Sequence, residues 1–265
     1  MGRSLGIYFA YFAQFLMARL SYKVDFFAAI VANVAATLSG LLFIIFLING
    51  QSVTSIQGWS RDEVLFIYGY SMISMSIFST FAINLYQFGD RYVIQGQFDR
   101  VLLRPVNSLF QVIFESFNLD TFGTLLTGIG VIAYSSQRLG IHYGLLDLGW
   151  LIVSTVSGAI ILISVFVTVA SVSFHFEDRI GISAPVYNMI NFGRYPVSIF
   201  NRALQFILSW LIPFAFVAFY PATHFLRRDG FLLLCYSTPL IALASTAVAG
   251  AAWRFGTARY SSTGN

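Results

Sequence analysis

The run QFGDRYVIQGQFDRVLLRP, Gln87–Pro105, lies between two stretches apolar enough to cross a bilayer, and its reading decides the fold. Gly89, Gly96 and Pro105 punctuate it. Val93, Phe98, Val101 and Leu102 recur at helical spacing and give a short amphipathic helix an apolar face, while Arg91, Asp99, Arg100 and Arg104 supply a charged one. A plain surface loop would need only polarity and positive charge. Hydrophobic anchors at this spacing suit docking in a groove on a partner. The segment 87–107 is therefore expected on the cytoplasmic side of a membrane, facing another protein.

Outward from it, the solvent must be lipid. Hydrophobic residues make up 57% of the 265 residues and charged ones 10%, against about 25% charged in an ordinary soluble domain. Mean hydropathy is +0.76. Crossing needs about 20 mainly apolar residues, which places spans near 26–48, 64–86, 109–134, 147–174 and 231–253. Residues 4–20 follow Arg3, mix aromatics with Gln14, and close on Arg19 and Lys23 without a small-residue cleavage site; they read as a retained interfacial helix rather than a signal peptide. Glu177-Asp178-Arg179 reads as a polar turn after the fourth span.

The stretch 180–226 admits two readings. In one, a short fifth span covers 180–194 and breaks at Gly193-Arg194-Tyr195-Pro196, after which 203–220 dips back into the outer leaflet, bent near Pro213 and Pro221. In the other, 203–220 is the fifth span and 180–200 lies on the cytoplasmic surface. Prolines 196, 213 and 221 disfavour one straight helix; the re-entrant reading is preferred. Both give an all-α integral membrane protein with six transmembrane helices and both termini on one side. Arginine and lysine placement favours that side being cytoplasmic: Arg3, Arg19, Lys23, Arg91, Arg100, Arg104, Arg179, Arg254 and Arg259 fall there. Arg61, Arg138, Arg227 and Arg228 fall outside, joined by Arg194 and Arg202 in the re-entrant reading. Residues 1–265 read as a single domain: the interfacial helix 4–22, a bundle over 26–253, and the segment 87–107.

Several chemistries are excluded or disfavoured. A phosphate-binding P-loop needs a lysine after glycine, and the single lysine, Lys23, lies between Tyr22 and Val24. His142, His175 and His224 lack zinc-ligand spacing, no G-x-S-x-G elbow accompanies any serine, and one cysteine, Cys235, makes no disulfide framework. No metal, resident cofactor or nucleic-acid partner is expected. Among the candidates for chemistry, Asp120 lies inside or near the third span beside Glu115, where an ionisable group costs several kcal/mol; it either caps or bonds a neighbouring helix, or touches cargo. Ala28, Ala32, Ala36 and Gly40 form a flat stripe on the first span, suited to close packing within the bundle or to a dimer seam lining a pathway. A channel or secondary transporter would lean on Asp120 and the Pro213 region, and a lipid-modifying enzyme on His175, Glu177 and Asp178.

The pattern Gly96-Gln-Phe98-Asp99-Arg-Val-Leu102-Leu103-Arg104-Pro105, followed by Leu109 and Gln111, resembles that of type-2 ABC exporter permeases. More narrowly, it resembles a bacterial subfamily of paired permeases, of multidrug or uncharacterised export, served by a separate ATPase. Phe192-Gly193-Arg194-Tyr195-Pro196, Ile212-Pro213-Phe214-Ala215-Phe216 and Tyr220-Pro221-Ala222 are similar too, so the likeness covers nearly the whole chain. The resemblance implies a bacterial inner-membrane permease without ATPase activity of its own, ATP and magnesium being held by separate ABC ATPase subunits. It implies that 4–22 and 87–107 contact those subunits, with Arg91, Gln97, Phe98, Asp99, Arg100 and Arg104 transmitting motion through a coupling helix. It further implies a second permease chain, identical or homologous. The pathway would run between the first, second and fifth spans of the two chains, near Ala32, Ala36, Gly40 and Asp120. Pro196, Pro213 and Pro221 would belong to an outer gate. The cargo is left open between drug, lipid, peptide and glycan precursor, the 28 Phe and 14 Tyr tilting it toward a hydrophobic or amphipathic molecule.

Overall fold

Lys23–Asn49 is an uninterrupted 27-residue helix (α1) without proline. In this computed structural model the description covers Met17 and residues 23–49, 55–115, 117–176 and 181–261; the interfacial helix of 4–22 and the turn at 177–179 lie outside the described residues, Met17 apart. A two-residue hairpin follows, Ser55–Ile56 (β1) against Trp59–Ser60 (β2), paired Ser55 to Ser60 and Ile56 to Trp59. Its turn residues Gln57 and Gly58 have φ of 47° and 82°, the left-handed pair a two-residue hairpin needs.

The next helix, Arg61–Ala82 (α2), begins at a capping box: Ser60 Oγ accepts from Glu63 N at 3.3 Å and Glu63 Oε2 accepts from Ser60 N at 2.8 Å. It is buried round its whole circumference from Val64 to Tyr70, as befits the central helix of a bundle. A 3₁₀ turn, Ile83–Gln87, extends it. Then come a π-helical turn, Gly89–Ile94, and the short helices Gln97–Leu102 (α3) and Ser108–Phe114 (α4). A 3₁₀ turn at Leu119–Thr121 leads into Phe122–Leu139 (α5), and Leu145–Phe176 (α6) follows. The expected single span over 109–134 is thus corrected: it is broken between Glu115 and Thr121, and the long helix starts at Phe122. Here Asn118 N donates to Thr80 O at 2.9 Å, Ser76 Oγ donates to Thr121 O at 2.9 Å, and the hydroxyls of Thr80 and Thr121 meet at 2.6 Å. Backbone groups released by the break are taken up by α2.

The stretch 181–236 is helical only in pieces: Ser183–Met189 (α7), turns at Phe192–Arg194 and Val197–Ile199, Arg202–Phe206 (α8) with a π-helical continuation to Leu211, a turn at Phe214–Phe216, Phe219–Ala222 (α9) and Leu232–Tyr236 (α10). Thr238–Thr257 (α11) closes the described chain, so the final helix starts later than the expected 231. The limbs 202–211 and 214–222 meet at 75° about Pro213. Trp59 marks where this excursion starts and ends: its Nε1 donates to Ser198 Oγ at 2.8 Å, and its ring meets Phe219 at 5.5 Å. Between those points Val217 O comes within 3.2 Å of Ser74 Oγ on α2. Gly158 on α6 makes this approach attainable, since a Cβ there would lie 2.7 Å from Val217 O and 2.8 Å from Ser74 Oγ.

The long helices follow a consistent set of directions. Asp62 meets Arg138, Gly69 meets Val131 and Thr80 meets Thr121, so α5 runs antiparallel to α2. Tyr70 bonds Ser154 and Phe78 packs on Phe166, so α6 runs parallel to α2. Trp150 meets Tyr236, Ser164 meets Thr246 and Phe174 meets Trp253, so α11 runs parallel to α6. Asn33 bonds Thr124 while Leu42 and Tyr134 share a groove, so α1 runs with α5. Residues 187–198 climb from Tyr86 past Tyr68 to Trp59, antiparallel to α2. Among the described residues three helices are long and apolar enough to cross a membrane, over 23–42, 61–87 and 145–175, or four with the bent pair counted as one. Apart from the hairpin, the described secondary structure is all helical.

Candidate coupling surface and membrane cleft

The segment 87–107 turns most of its apolar face inward, Leu102 excepted. Val93, Phe98 and Val101 are buried, and Phe98 sits among Phe88, Phe174, Trp253 and Tyr260 with ring centroids 4.9–5.9 Å away. Expected as docking anchors for a partner, these residues instead weld the segment to the ends of α6 and α11. Gly96 (φ 68°) turns the chain so that α3 can begin. Arg91, Gln97 and Asp99 are also engaged within the chain. Arg91 donates from Nε to Gln97 Oε1 at 3.0 Å and pairs with Glu115 at 3.7 Å, while the Tyr92 hydroxyl donates to the same carboxylate. Tyr260 OH donates to Asp99 Oδ1 at 3.0 Å; burial, and then the adjoining carboxylate, push that phenol up to about 12, so it remains a donor near neutrality. What faces outward is Leu102, Leu103 (85% exposed), Arg100, Arg104 and Pro105. Gln111 Nε2 steadies the base of this ridge by donating to Val101 O and Val106 O at 3.3 and 2.9 Å.

At the opposite end of α2, Arg228 donates from Nε and Nη2 to Glu63 Oε1 at 3.1 and 2.8 Å and stacks over Trp59 at 4.6 Å. His224 Nε2 lies 2.8 Å from Asp147 Oδ1, and its Nδ1 lies 2.8 Å from Tyr236 OH. A cavity of about 340 Å³ opens here, but these charged groups already answer one another.

A second cavity, about 410 Å³, lies inside the bundle between α1, α2 and the irregular stretch. Asn33, Ala36, Thr37 and Gly40 form its α1 wall; Tyr68, Met72, Met75, Ser76 and Ser79 form its α2 wall. Arg194 closes one end. Its Nη1 donates to Tyr68 OH at 3.5 Å, its guanidinium carbon lies 5.6 Å from the Tyr68 ring centroid, and its buried Nε has no acceptor among the described residues. Among the described residues the lining contains no carboxylate. Tyr68 lies roughly 10 Å along α2 from Arg61 at 1.5 Å per residue, so Arg194, which meets it, reaches in alongside α2 rather than standing at its end.

The other expected residues divide. Ala36 and Gly40 line this cleft, whereas Ala32 is exposed and does not. Asp120 sits in the turn before α5 and lies outside the cleft lining, while its neighbours Asn118 and Thr121 line it. Pro213 lies at the 75° bend, Pro196 starts the turn Val197–Ile199, and Pro221 O accepts from Trp150 Nε1 at 3.3 Å. Among the described residues no His, Cys, Asp and Glu group could hold a metal ion. Sequence reasoning missed Arg194 as a cleft residue and the Glu63–Arg228 pair; the only signal for the former was a lone arginine in an otherwise uncharged run.

Comparison with known proteins agrees with this architecture. A family model described as ABC-2 family transporter protein matches residues 34–264. No curated protein and no solved structure matches the chain.

Proposed function

Because the chain belongs to the ABC-2 family of transporter membrane proteins, whose permeases lack an ATPase domain, we propose that it is the permease subunit of an exporter driven by separate ATPase subunits. In this reading it crosses the bacterial inner membrane six times, through α1, α2, α5, α6, the broken passage 183–199 and α11. The directions of these six segments support it: three run one way and three the other. The bent pair 202–222 then re-enters from the outer face, because Ser198 just before it and Phe219 near its end both meet Trp59. Lys23, the segment 87–107, Arg254 and Arg259 share the opposite, cytoplasmic end; the outer arginines Arg138 and Arg228 each face a carboxylate.

The observation that carries the coupling role is the division of 87–107 into a welded inner face and an exposed ridge. An ATPase subunit, holding ATP and magnesium, grips Leu102, Leu103, Arg100 and Arg104. Displacement of the ridge passes through Phe98 into Phe174 and Trp253, and so into α6 and α11. The pathway runs along the cleft beside α1, completed by a second permease chain, with the bent pair as its outer gate. The test is purification of the full chain expressed with its genomic neighbours. Recovery of a P-loop ATPase with the wild type, and its loss in the double variant Leu103→Asp, Arg104→Glu, is expected. An isolated wild-type chain would overturn the reading in favour of an ATP-independent transporter or channel.

A further inference from the structure

We propose that the cleft closed by Arg194 binds an oxyanion carried on an apolar tail, so that the cargo is an anionic amphiphile with a phosphate or carboxylate group. The inference rests on the exporter reading of the cleft as the cargo's path, and gives that path a chemistry. Among the described residues of the lining Arg194 is the one charged group, and its Nη1 reaches only the Tyr68 hydroxyl at 3.5 Å. A guanidinium offers donors in a fork that fits carboxylate and phosphate oxygens. Nε itself is shut off from the cleft, so the terminal amino groups, held only by the 3.5 Å contact to Tyr68 OH, are the donors a ligand would take.

The rest of the cleft suits the same molecule. Asn33, Thr37 and Ser79 line the same cleft with neutral hydrogen-bonding groups, which suits the esters or hydroxyls of such a molecule. Met72, Met75 and Ile83 supply adaptable apolar wall. The volume, about 410 Å³, lies in the range of small-molecule sites, roughly 300–1,000 Å³. On the α1 side Ala36 is exposed, so a tail can continue out of the cleft along that helix. A cationic cargo would meet Arg194 without a compensating carboxylate. The cavity at the far end of α2 differs, since two carboxylates, Glu63 and Asp147, share its lining with Arg227 and would repel an anion.

The test is probe binding to the full chain in phosphatidylcholine nanodiscs, counted by native mass spectrometry after empty discs are subtracted. The probes are dihexanoylphosphatidic acid, dihexanoylphosphatidylcholine, hexyltrimethylammonium and inorganic phosphate. Retention of the phosphatidic acid at least 10-fold above the other three is expected. Arg194→Gln should abolish that preference, and Arg194→Lys, which keeps the charge, should keep part of it. Ala36→Leu, which fills the cleft from an exposed helix face, should block the probe with Arg194 intact and the chain monodisperse. Equal retention by wild type and Arg194→Gln, or preference for the cationic probe, would overturn the proposal. Retention of inorganic phosphate as strong as that of the lipid would overturn the tail. Binding needs no ATPase, so a failed ATPase recovery sinks the exporter reading alone, and a failed probe in an intact complex sinks this one alone.

Discussion

Glu63 uses both carboxylate oxygens: Oε2 closes the capping box of α2 and Oε1 takes Arg228. Replacement by glutamine keeps a side-chain acceptor and removes the charge. With Arg228 39% exposed and Glu63 13%, screening limits the loss to about 1 kcal/mol, or roughly 2–4 °C in a thermal melt. Glu63→Ala should lower the melting temperature further, because the cap goes as well. An unchanged melt in both variants would show that this lock carries no stability. Gly158 makes a harsher test. A Cβ there would lie 2.7 Å from a backbone carbonyl, Val217 O, which cannot rotate away. Gly158→Val should therefore cost at least the roughly 1–3 kcal/mol of ordinary overpacking, visible as lost monodisperse protein in fluorescence-detected gel filtration. Neither contact was legible beforehand, since Glu63 and Arg228 are far apart in the chain and Gly158 lies in an ordinary helical run.

The segment 87–107 shows what periodicity can and cannot reveal about an element. The helical spacing of Val93, Phe98 and Val101 marked an amphipathic element with a buried side, and that side exists. Spacing does not say which body covers it. The covering rings, Phe174 and Trp253, stand at the ends of helices far away in sequence, so an intramolecular dock and a partner's groove read alike. The same limit governs the third span: apolar composition is continuous over 109–134, but the hydroxyl and carbonyl of Thr80 on α2 accommodate a break at 115–121. Breaks within 181–222 were legible because proline and glycine announce them, and the bend does fall at Pro213. Phe98 and Leu103 should consequently behave differently. Phe98→Ala empties the centre of an aromatic cluster and should cost about 3–5 kcal/mol, lowering the yield of folded chain. Leu103→Asp, at a position 85% exposed, should leave the melt unchanged and weaken ATPase recovery at least 10-fold. If Phe98→Ala keeps wild-type stability, the cluster is not the joint between the segment and the bundle.

For the whole molecule, α1 poses the open problem. Its window 23–42 is 6% buried, against 83% for α2 and 56% for α6. Ile30, Asn33 and Val34 pack on the start of α5, while Ala28, Ala32 and Ala36 remain exposed beside the cleft. Lipid satisfies an apolar surface, so exposure alone does not require a partner. Small residues in line, however, let two helix backbones approach closely and gain packing that lipid chains supply poorly. A second permease chain laid on this stripe would also close the open side of the cleft. The prediction concerns adjacency: p-benzoylphenylalanine placed at position 32 should, on irradiation in membranes, form an adduct with another permease, and the adduct's mass tells a second copy from a homologous chain. The same group at position 233, where Leu233 is 88% exposed on α10, should label lipid alone. Protein adducts of equal yield at both positions, or none at position 32, would mean that the stripe faces lipid and that the cleft is walled by this chain alone.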